Sequence, residues 1–380
     1  MHKIDILAFK ANTFDSEDFA NALMAYNSNC IILTMDLDKM TVVHKAPHVK
    51  LKKNIFKFHK IKNSKINDLF LPFLFLFDII LIIRILAGIC FRYRPRICWI
   101  ENVYAAFIIG LLKIFNGYGE LIYLPGDWLV NAAHKTPRSY IANNMLFPLL
   151  DYFVCRFSDV VVYSDERLAQ ARFKFWGRKI PKREKIYSAL YFPGMRLKVN
   201  NREGEKNAIC FLGDMRLDSG LDIAIKVLRD LRKEKDIVIK IIGRKGQNFG
   251  YFWKMAKDYG LDPYVEFLGF VKTENLMEAA ADCFCGINIL TSINSFSNYA
   301  IPGKQMHYLQ LLLPIIATEN AGTLVTVIRE KSLGLIIEPS AEAFREAVLK
   351  IHRDQVMYRK NIMDFVNNLK FIPIKEFIEI

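Results

Sequence analysis

The 380-residue sequence has no Cys-x-x-Cys pair, no glycine-rich Walker-type loop, no Ser-His-Asp arrangement and no metal-ligand spacing. Zinc-site, NTPase, hydrolase and metalloenzyme chemistry therefore find no motif to build on. Its seven cysteines, Cys30, Cys90, Cys98, Cys155, Cys210, Cys283 and Cys285, form an odd set. Most sit in apolar runs such as Ile209-Cys210-Phe211-Leu212, where a thiol behaves as a small hydrophobe. Cys283-Phe284-Cys285 is too tight to make a site alone, and a reducing compartment is expected. Met1-His2-Lys3-Ile4-Asp5 leads directly into a strand without the apolar core of a signal peptide, which points to the cytoplasm.

Acidic residues are also scarce: 39 Asp plus Glu stand against 53 Lys plus Arg, a formal charge of +14. Partners or surfaces carrying negative charge follow, whether anionic lipid, nucleotide phosphate or nucleic acid. The 52% hydrophobic and 13% aromatic content excludes a disordered or fibrous chain. At ~100–200 residues per domain, the length suggests two or three domains.

Residues 45–65 hold eight lysines and no acid, interleaved with Ile55, Phe56, Phe58 and Ile61. Residues 69–91 follow as a run approaching the length of a membrane span, interrupted by Pro72, Asp78 and Arg84. A core helix, or one lying in an anionic membrane surface, is the reading favoured by this pairing. A true span and a nucleic-acid patch are the alternatives. The charged interruptions oppose the first, and the lack of any nucleic-acid motif opposes the second.

Apolar runs at 208–213, 237–243, 265–270, 283–290, 314–318 and 334–338 read as buried strands. Segments of helical period separate most of them; in 221–233, Leu221, Ile225 and Leu228 share one stripe. Alternating strands and helices predict a parallel sheet covered on both faces. The first half repeats the rhythm, with strands expected at 3–8, 30–35, 97–100, 120–124 and 159–163. The result is an α/β chain of two doubly wound, Rossmann-like domains whose ligands bind beyond the strand C-termini, in a cleft between facing sheets. The first domain takes residues 1–198, with 45–91 as its membrane-docking segment, and 199–206 form a polar linker. The second takes 207–354, and 355–380 form a helix returning to the first.

A resemblance enters with the phrases Phe211-Leu212-Gly213, Gly220-Leu221-Asp222, Ile241-Ile242-Gly243, Tyr259-Gly260-Leu261 and Val265 to Val271. Ala279-Ala280-Ala281-Asp282 and Pro302-Gly303-Lys304 through Tyr308-Leu309 to Leu313-Pro314-Ile315-Ile316-Ala317-Thr318 complete it. Over residues 207–340 the order and spacing resemble the donor domain of the retaining, nucleotide-sugar-dependent glycosyltransferases of the GT-B fold, the group 1 or family 4 enzymes. More loosely, Trp99 to Asn102 and Leu121 to Asp127 resemble that group's third and fourth strand ends.

The departures are specific. Asp214 and Ser219 stand where the family usually has Arg and Lys, and His307 stands where a carboxylate would hold the donor ribose. Residues 292–301 carry no acid to face the donor sugar. Lys304 matches the P-x-K variant of the loop.

The resemblance implies a diphosphate leaving group, whose growing charge is met by cations or helix N-terminal amides. Lys304, Arg216, Arg244 and Lys245 are the cations in the matching loops, with Arg216 standing in for the Arg lost at Asp214. The alternative for each is a solvated surface charge. Asn298, Tyr299 and Gly303 form the approach to the helix, Gly213 closes the first strand, and His307 is placed for a ribose hydroxyl. Phe270 and Val271 fall where the base ring sits in the family; plain core packing is the alternative. On the acceptor side, Asp127 and Glu101 would supply a general base if the reaction inverts, and none is required if it retains.

The implied activity is transfer of a sugar from a nucleoside diphosphate sugar to a glycan or lipid-linked acceptor, in surface polysaccharide, lipopolysaccharide or glycolipid synthesis. It would occur on the cytoplasmic face of the membrane, without metal ion, cofactor or nucleic acid. A catalytically degenerate scaffold and a nucleotide-sugar epimerase are the alternatives.

Overall fold

The computed structural model describes residues 3–11, 21, 23–35, 39–51, 54–57, 80–117, 119–126, 128–130, 140–187, 207–246, 248–272, 275–291, 299, 303–369 and 375–376. The chain divides into two compact units, Met1–Arg196 with Lys370–Ile380, and Leu197–Leu369. The linker expected at 199–206 lies outside the described residues.

The first unit is built on an eight-stranded sheet: β1 (Ile6–Ala11), β2 (Cys30–Met35), β3 (Lys39–Lys45), β4 (Asn54–Lys57), β5 (Ile97–Ile100), β6 (Glu120–Tyr123), β7 (Val160–Tyr163) and β8 (Glu184–Ile186). Their order is β4-β3-β2-β1-β5-β6-β7-β8. All pairings are parallel except β2–β3 and β3–β4. The five strands expected from sequence are β1, β2, β5, β6 and β7.

Missing from that reading are β3, β4 and β8. The lysine-rich stretch taken for a docking segment from residue 45 thus includes the end of β3 and an edge strand. In β3, Met40 and Val42 alternate inward and are buried, the period-two pattern of a strand. Lysines on edge strands also deter pairing with other chains. Residues 58–79, which hold the first part of the apolar run, lie outside the described residues.

The strand pleat sorts the helices by face. Ile6, Ala8, Ile97, Trp99, Ile122, Val160 and Val162 share a core with Leu23 on one face. On the other face, register aligns Cys98 with Leu121, Ile100 with Tyr123 and Tyr123 with Val161. Helix α1 (residues 80–93) reaches this second face, with the Cys90 thiol against Cys98. It buries Ile82, Leu86, Ile89 and Cys90, as the core-helix reading requires. Helix α2 (Val103–Asn116) lies against α3 (Phe147–Phe157), so close that a Cβ on Gly110 would meet Phe157 at 3.1 Å. Asp151 of α3 accepts from the Tyr123 hydroxyl at 2.9 Å and from Arg172 of α4 (Glu166–Trp176) at 2.8 and 3.1 Å. The Arg172 guanidinium also lies 4.9 Å from the Trp128 ring and 5.5 Å from the Tyr163 ring.

The second unit has six strands, all parallel: β9 (Ala208–Leu212), β10 (Val238–Ile242), β11 (Val265–Gly269), β12 (Cys283–Asn288), β13 (Ile315–Thr318) and β14 (Gly334–Ile337). They lie in the order β11-β10-β9-β12-β13-β14. These are the six apolar runs of the sequence; β9, β12 and β13 are buried throughout because helices cover both faces, while the edge strands β11 and β14 are partly exposed. The helices are α5 (Leu221–Glu234), α6 (Phe249–Asp258), α7 (Gly303–Gln310), α8 (Val325–Glu330) and α9 (Ala341–Asn367). Helix α9 is continuous in outline but kinks at Asp354 (φ −104, ψ 20), next to the domain change expected at residue 355. Beyond the kink Tyr358 still joins the core of this unit, and the Asn361 amide donates to Ser332 O at 3.1 Å. The second unit therefore keeps the helix, and only Lys370–Ile380 is grouped with the first.

All seven cysteines are buried free thiols. Among the described residues no helix is long and apolar enough to cross a membrane.

Candidate active site

In the second sheet, β9 pairs with β10 on one side and with β12 on the other. Strand order runs outward from this point in both directions, so the loops leaving the C-terminal ends of β9 and β12 diverge and open a crevice. The loop after β9 is confined from below. A Cβ on Gly243 would lie 2.0 Å from Gly213 O, and one on Gly220 would lie 2.5 Å from the Ile289 side chain. Gly220 also has φ +67, which other residues adopt at a cost. We expect Gly220→Ala to destabilise the protein by about 3 kcal/mol through clash and backbone strain together, read as a lower urea midpoint.

Three further bonds fasten this loop. The Ser219 hydroxyl donates to Arg216 O at 2.6 Å, Thr291 N–H to Asp218 O at 3.0 Å, and the Asn248 amide to Met215 O at 2.9 Å. Ser219, which stands where the family has a lysine, is buried and serves as a fastening of the loop. The Arg216 guanidinium grips Asp218, its Nε at 2.8 Å from Oδ1 and its Nη2 on the second oxygen.

Lys304 lies in the first turn of α7, and its stem passes 3.8 Å from where a Cβ on Gly213 would be. Its ammonium lies 4.9 Å over the Phe211 ring. Burial pushes this group down to about 8, the Arg216 cation adds to the effect, and Asp218 and Asp214 oppose it. Lys304 is thus still mostly protonated at pH 7. Among the described residues no carboxylate lies within ion-pair distance of it. A desolvated cation at a helix N-terminus is suited to a phosphate group.

Structure therefore brings Gly213, Arg216, Gly303 and Lys304 together. Arg244 and Lys245 lie past the end of β10, exposed and set against aromatic rings: Arg244 is 5.4 Å from Phe270, Lys245 4.7 Å from Phe249. Phe270 is 65% exposed, which sets aside the core-packing reading, and Val271 is half-buried beside it. His307 is buried on α7 with Nδ1 3.1 Å from Gln310 Oε1. Burial lowers its pKa below the ordinary histidine value, so it is neutral at pH 7. Tyr299 is half-buried, and Asn298 lies outside the described residues. In the first unit, Glu101 follows β5 directly with its N–H on Phe9 O at 2.9 Å, while Asp127 lies outside the described residues.

Several polar groups at this crevice escape sequence reasoning. Asp218, the partner of Arg216, is one; the close Arg-x-Asp spacing was its only signal. Gln305 is fully buried, and its amide meets that of Asn288 at Ala321 O, each at 3.1 Å. Thr318 accepts from Leu290 N–H at 2.9 Å and donates to Asn320 at 2.7 Å. Together these tie the ends of β12 and β13 to α7, the helix that carries Lys304.

Residues 196–367 match the model of the family Glycosyl transferases group 1. No curated protein matches the chain by sequence. Among solved structures, the chain is similar to sucrose-phosphate synthase from Thermosynechococcus elongatus, with a TM-score of 0.66 at 12% identity, covering 97% of this chain and 95% of that one. It is similar to HepE of Anabaena in complex with UDP, with a TM-score of 0.64 at 12% identity and coverages of 97% and 96%. The lipopolysaccharide outer core galactosyltransferase WaaB, in its apo form, gives 0.59 at 12% identity and covers 96% of each chain. Residues 196–367 of the second unit thus match a glycosyl transferases group 1 domain, and the chain shares the two-domain GT-B fold of these structures over nearly its whole length.

Proposed function

We propose that the protein moves a sugar from a nucleoside diphosphate sugar to a glycan or lipid-linked acceptor, in the assembly of surface polysaccharide, lipopolysaccharide or glycolipid. It works at the inner face of the membrane. The observation that carries the donor assignment is Lys304, a partly desolvated cation at the opening of α7 beside Gly213. Departure of the diphosphate concentrates negative charge, and a preplaced ammonium with helix N-terminal amides stabilises it as it forms. Lys304 takes this role in place of a metal ion. Arg216 supports it from the loop, and Phe270 offers a stacking face for the base. Glu101 and Asp127 are the carboxylates on the acceptor side.

Calorimetric titration with nucleoside diphosphates tests the reading, starting with UDP because the HepE structure holds it. At least one diphosphate is expected to bind, more tightly than its monophosphate, with no change on adding EDTA. A folded protein that binds none of them ends the proposal.

A further inference from the structure

We propose that the outer surface of α1, α2 and α3 lies on an anionic lipid bilayer, with Ile141, Met145, Leu149 and Phe153 entering its headgroup layer. This locates the membrane contact of the proposed function and rests on that part of it. The three helices cover the same face of the first sheet. On the outer side of α3 and of the π-helical stretch Ala142–Leu146 that leads into it, Ile141, Met145, Leu149 and Phe153 are 54%, 63%, 48% and 38% exposed and recur every fourth residue. Across the α2–α3 contact, the Phe107 and Phe153 rings are 6.4 Å apart. Ile80, Ile83 and Phe91 on α1, and Ile114 and Phe115 on α2, are exposed as well.

Charge identifies the occupant. Among the described residues of 80–93, 103–116 and 140–157 the only acid is Asp151, which is buried and bound to Arg172. The exposed ions are cations: Arg84, Arg92 and Arg156. Arg84 and Arg92 join Lys50 around a groove of about 460 Å³ that is also lined by Leu51, Ile85 and Ile89. An apolar surface edged by cations and, among the described residues of these helices, free of exposed acid fits negatively charged lipid, which attracts each such side chain by about fivefold in binding. The placement also serves the reaction. Phe147, at the start of α3, packs 5.7 Å from Trp128, on the loop that follows β6. A lipid-linked acceptor can therefore approach that strand end while its tail stays in the bilayer.

Co-sedimentation with phosphatidylglycerol–phosphatidylcholine vesicles provides the test. The wild-type chain is expected to bind these vesicles, to bind pure phosphatidylcholine at least tenfold more weakly, and to lose binding in high salt. The Met145→Glu/Leu149→Glu double variant should bind anionic vesicles at least tenfold more weakly while its UDP titration is unchanged. Failure here thus stays distinct from failure of the donor site. In the unmodified protein, anionic vesicles should slow peroxide oxidation of Met145 severalfold relative to phosphatidylcholine vesicles. That measurement decides the matter if the variant misfolds. Full vesicle binding by a folded variant, or an unprotected Met145, overturns the proposal. So does a wild-type protein that ignores vesicles but forms dimers abolished by the same substitutions.

Discussion

Lys304→Met is expected to weaken binding of the nucleoside diphosphate by roughly 10- to 100-fold, the value of a charge-assisted bond of about 1.5–3 kcal/mol. Sugar transfer should fall further, because charge on the leaving oxygen is greatest in the transition state. Methionine keeps most of the stem over Phe211, so the loss belongs to the ammonium. The wild-type enzyme should show the same dependence through pH. Its free ammonium titrates near about 8, so the dissociation constant is flat below pH 7 and rises through pH 8 to 9. In Lys304→Met that rise disappears.

Stability runs the other way. The folded-state value lies below the unfolded 10.5, so between about 8 and 10.5 the unfolded chain binds more protons. Wild-type stability therefore gains with pH across this window, and the buried cation is a cost below it. The Met variant should be at least as stable as wild type at pH 7. Calorimetry at pH 7 and 9 beside urea unfolding would separate the two effects, and a variant that loses stability without losing affinity would refute the assignment.

Asp151→Ala should cost about 3–5 kcal/mol, the largest stability effect predicted for the chain. The substitution leaves the Arg172 guanidinium, 2% exposed, without its counter-charge and the Tyr123 hydroxyl without its acceptor. Desolvation makes the unpaired ion expensive, while the intact pair roughly balances its own burial. Combining Asp151→Leu with Arg172→Met should therefore recover much of the loss. A double-mutant cycle in urea reads this directly: the two single variants must each lose more than the pair. If Asp151→Ala lowers stability by less than about 1 kcal/mol, the network is not closed as described.

Legibility of the fold in the sequence tracks burial on two faces. The central strands β9, β12 and β13 are covered above and below, so they appear as unbroken apolar runs, and even β10 and β11 carry only one charged residue each. Strands β3 and β4 form an edge, where lysines are favoured, and in sequence they merge with the basic stretch around Lys50 to Lys57. Gly213, Arg216 and Lys304 could be singled out because they fall in phrases that resemble the family's loops, and the fold brings them to one crevice, Gly213 and Arg216 after β9 and Lys304 in the first turn of α7. Asp151 was not. It stands in the apolar phrase Leu149-Leu150-Asp151-Tyr152-Phe153, and its partner lies 21 residues on, in another helix. Nor does periodicity alone say whether the stripe of Met145 and Leu149 faces the core or the outside. Only the fold decides it: Asp151, Val154 and Cys155 take the buried side, where Asp151 meets Tyr123 and Arg172, and leave Met145 and Leu149 outward.

Reagent access is settled by where the sulfur atoms lie. Every thiol is enclosed by the two cores, and burial pushes Cys30, for example, up to about 11, far from the reactive thiolate form. The native chain should thus be nearly inert to maleimides. One cysteine engineered at an outward position, such as Met145→Cys, would then carry a fluorophore or spin label alone. Interfacial depth could be followed by spectroscopy without first stripping the protein of its own sulfhydryls.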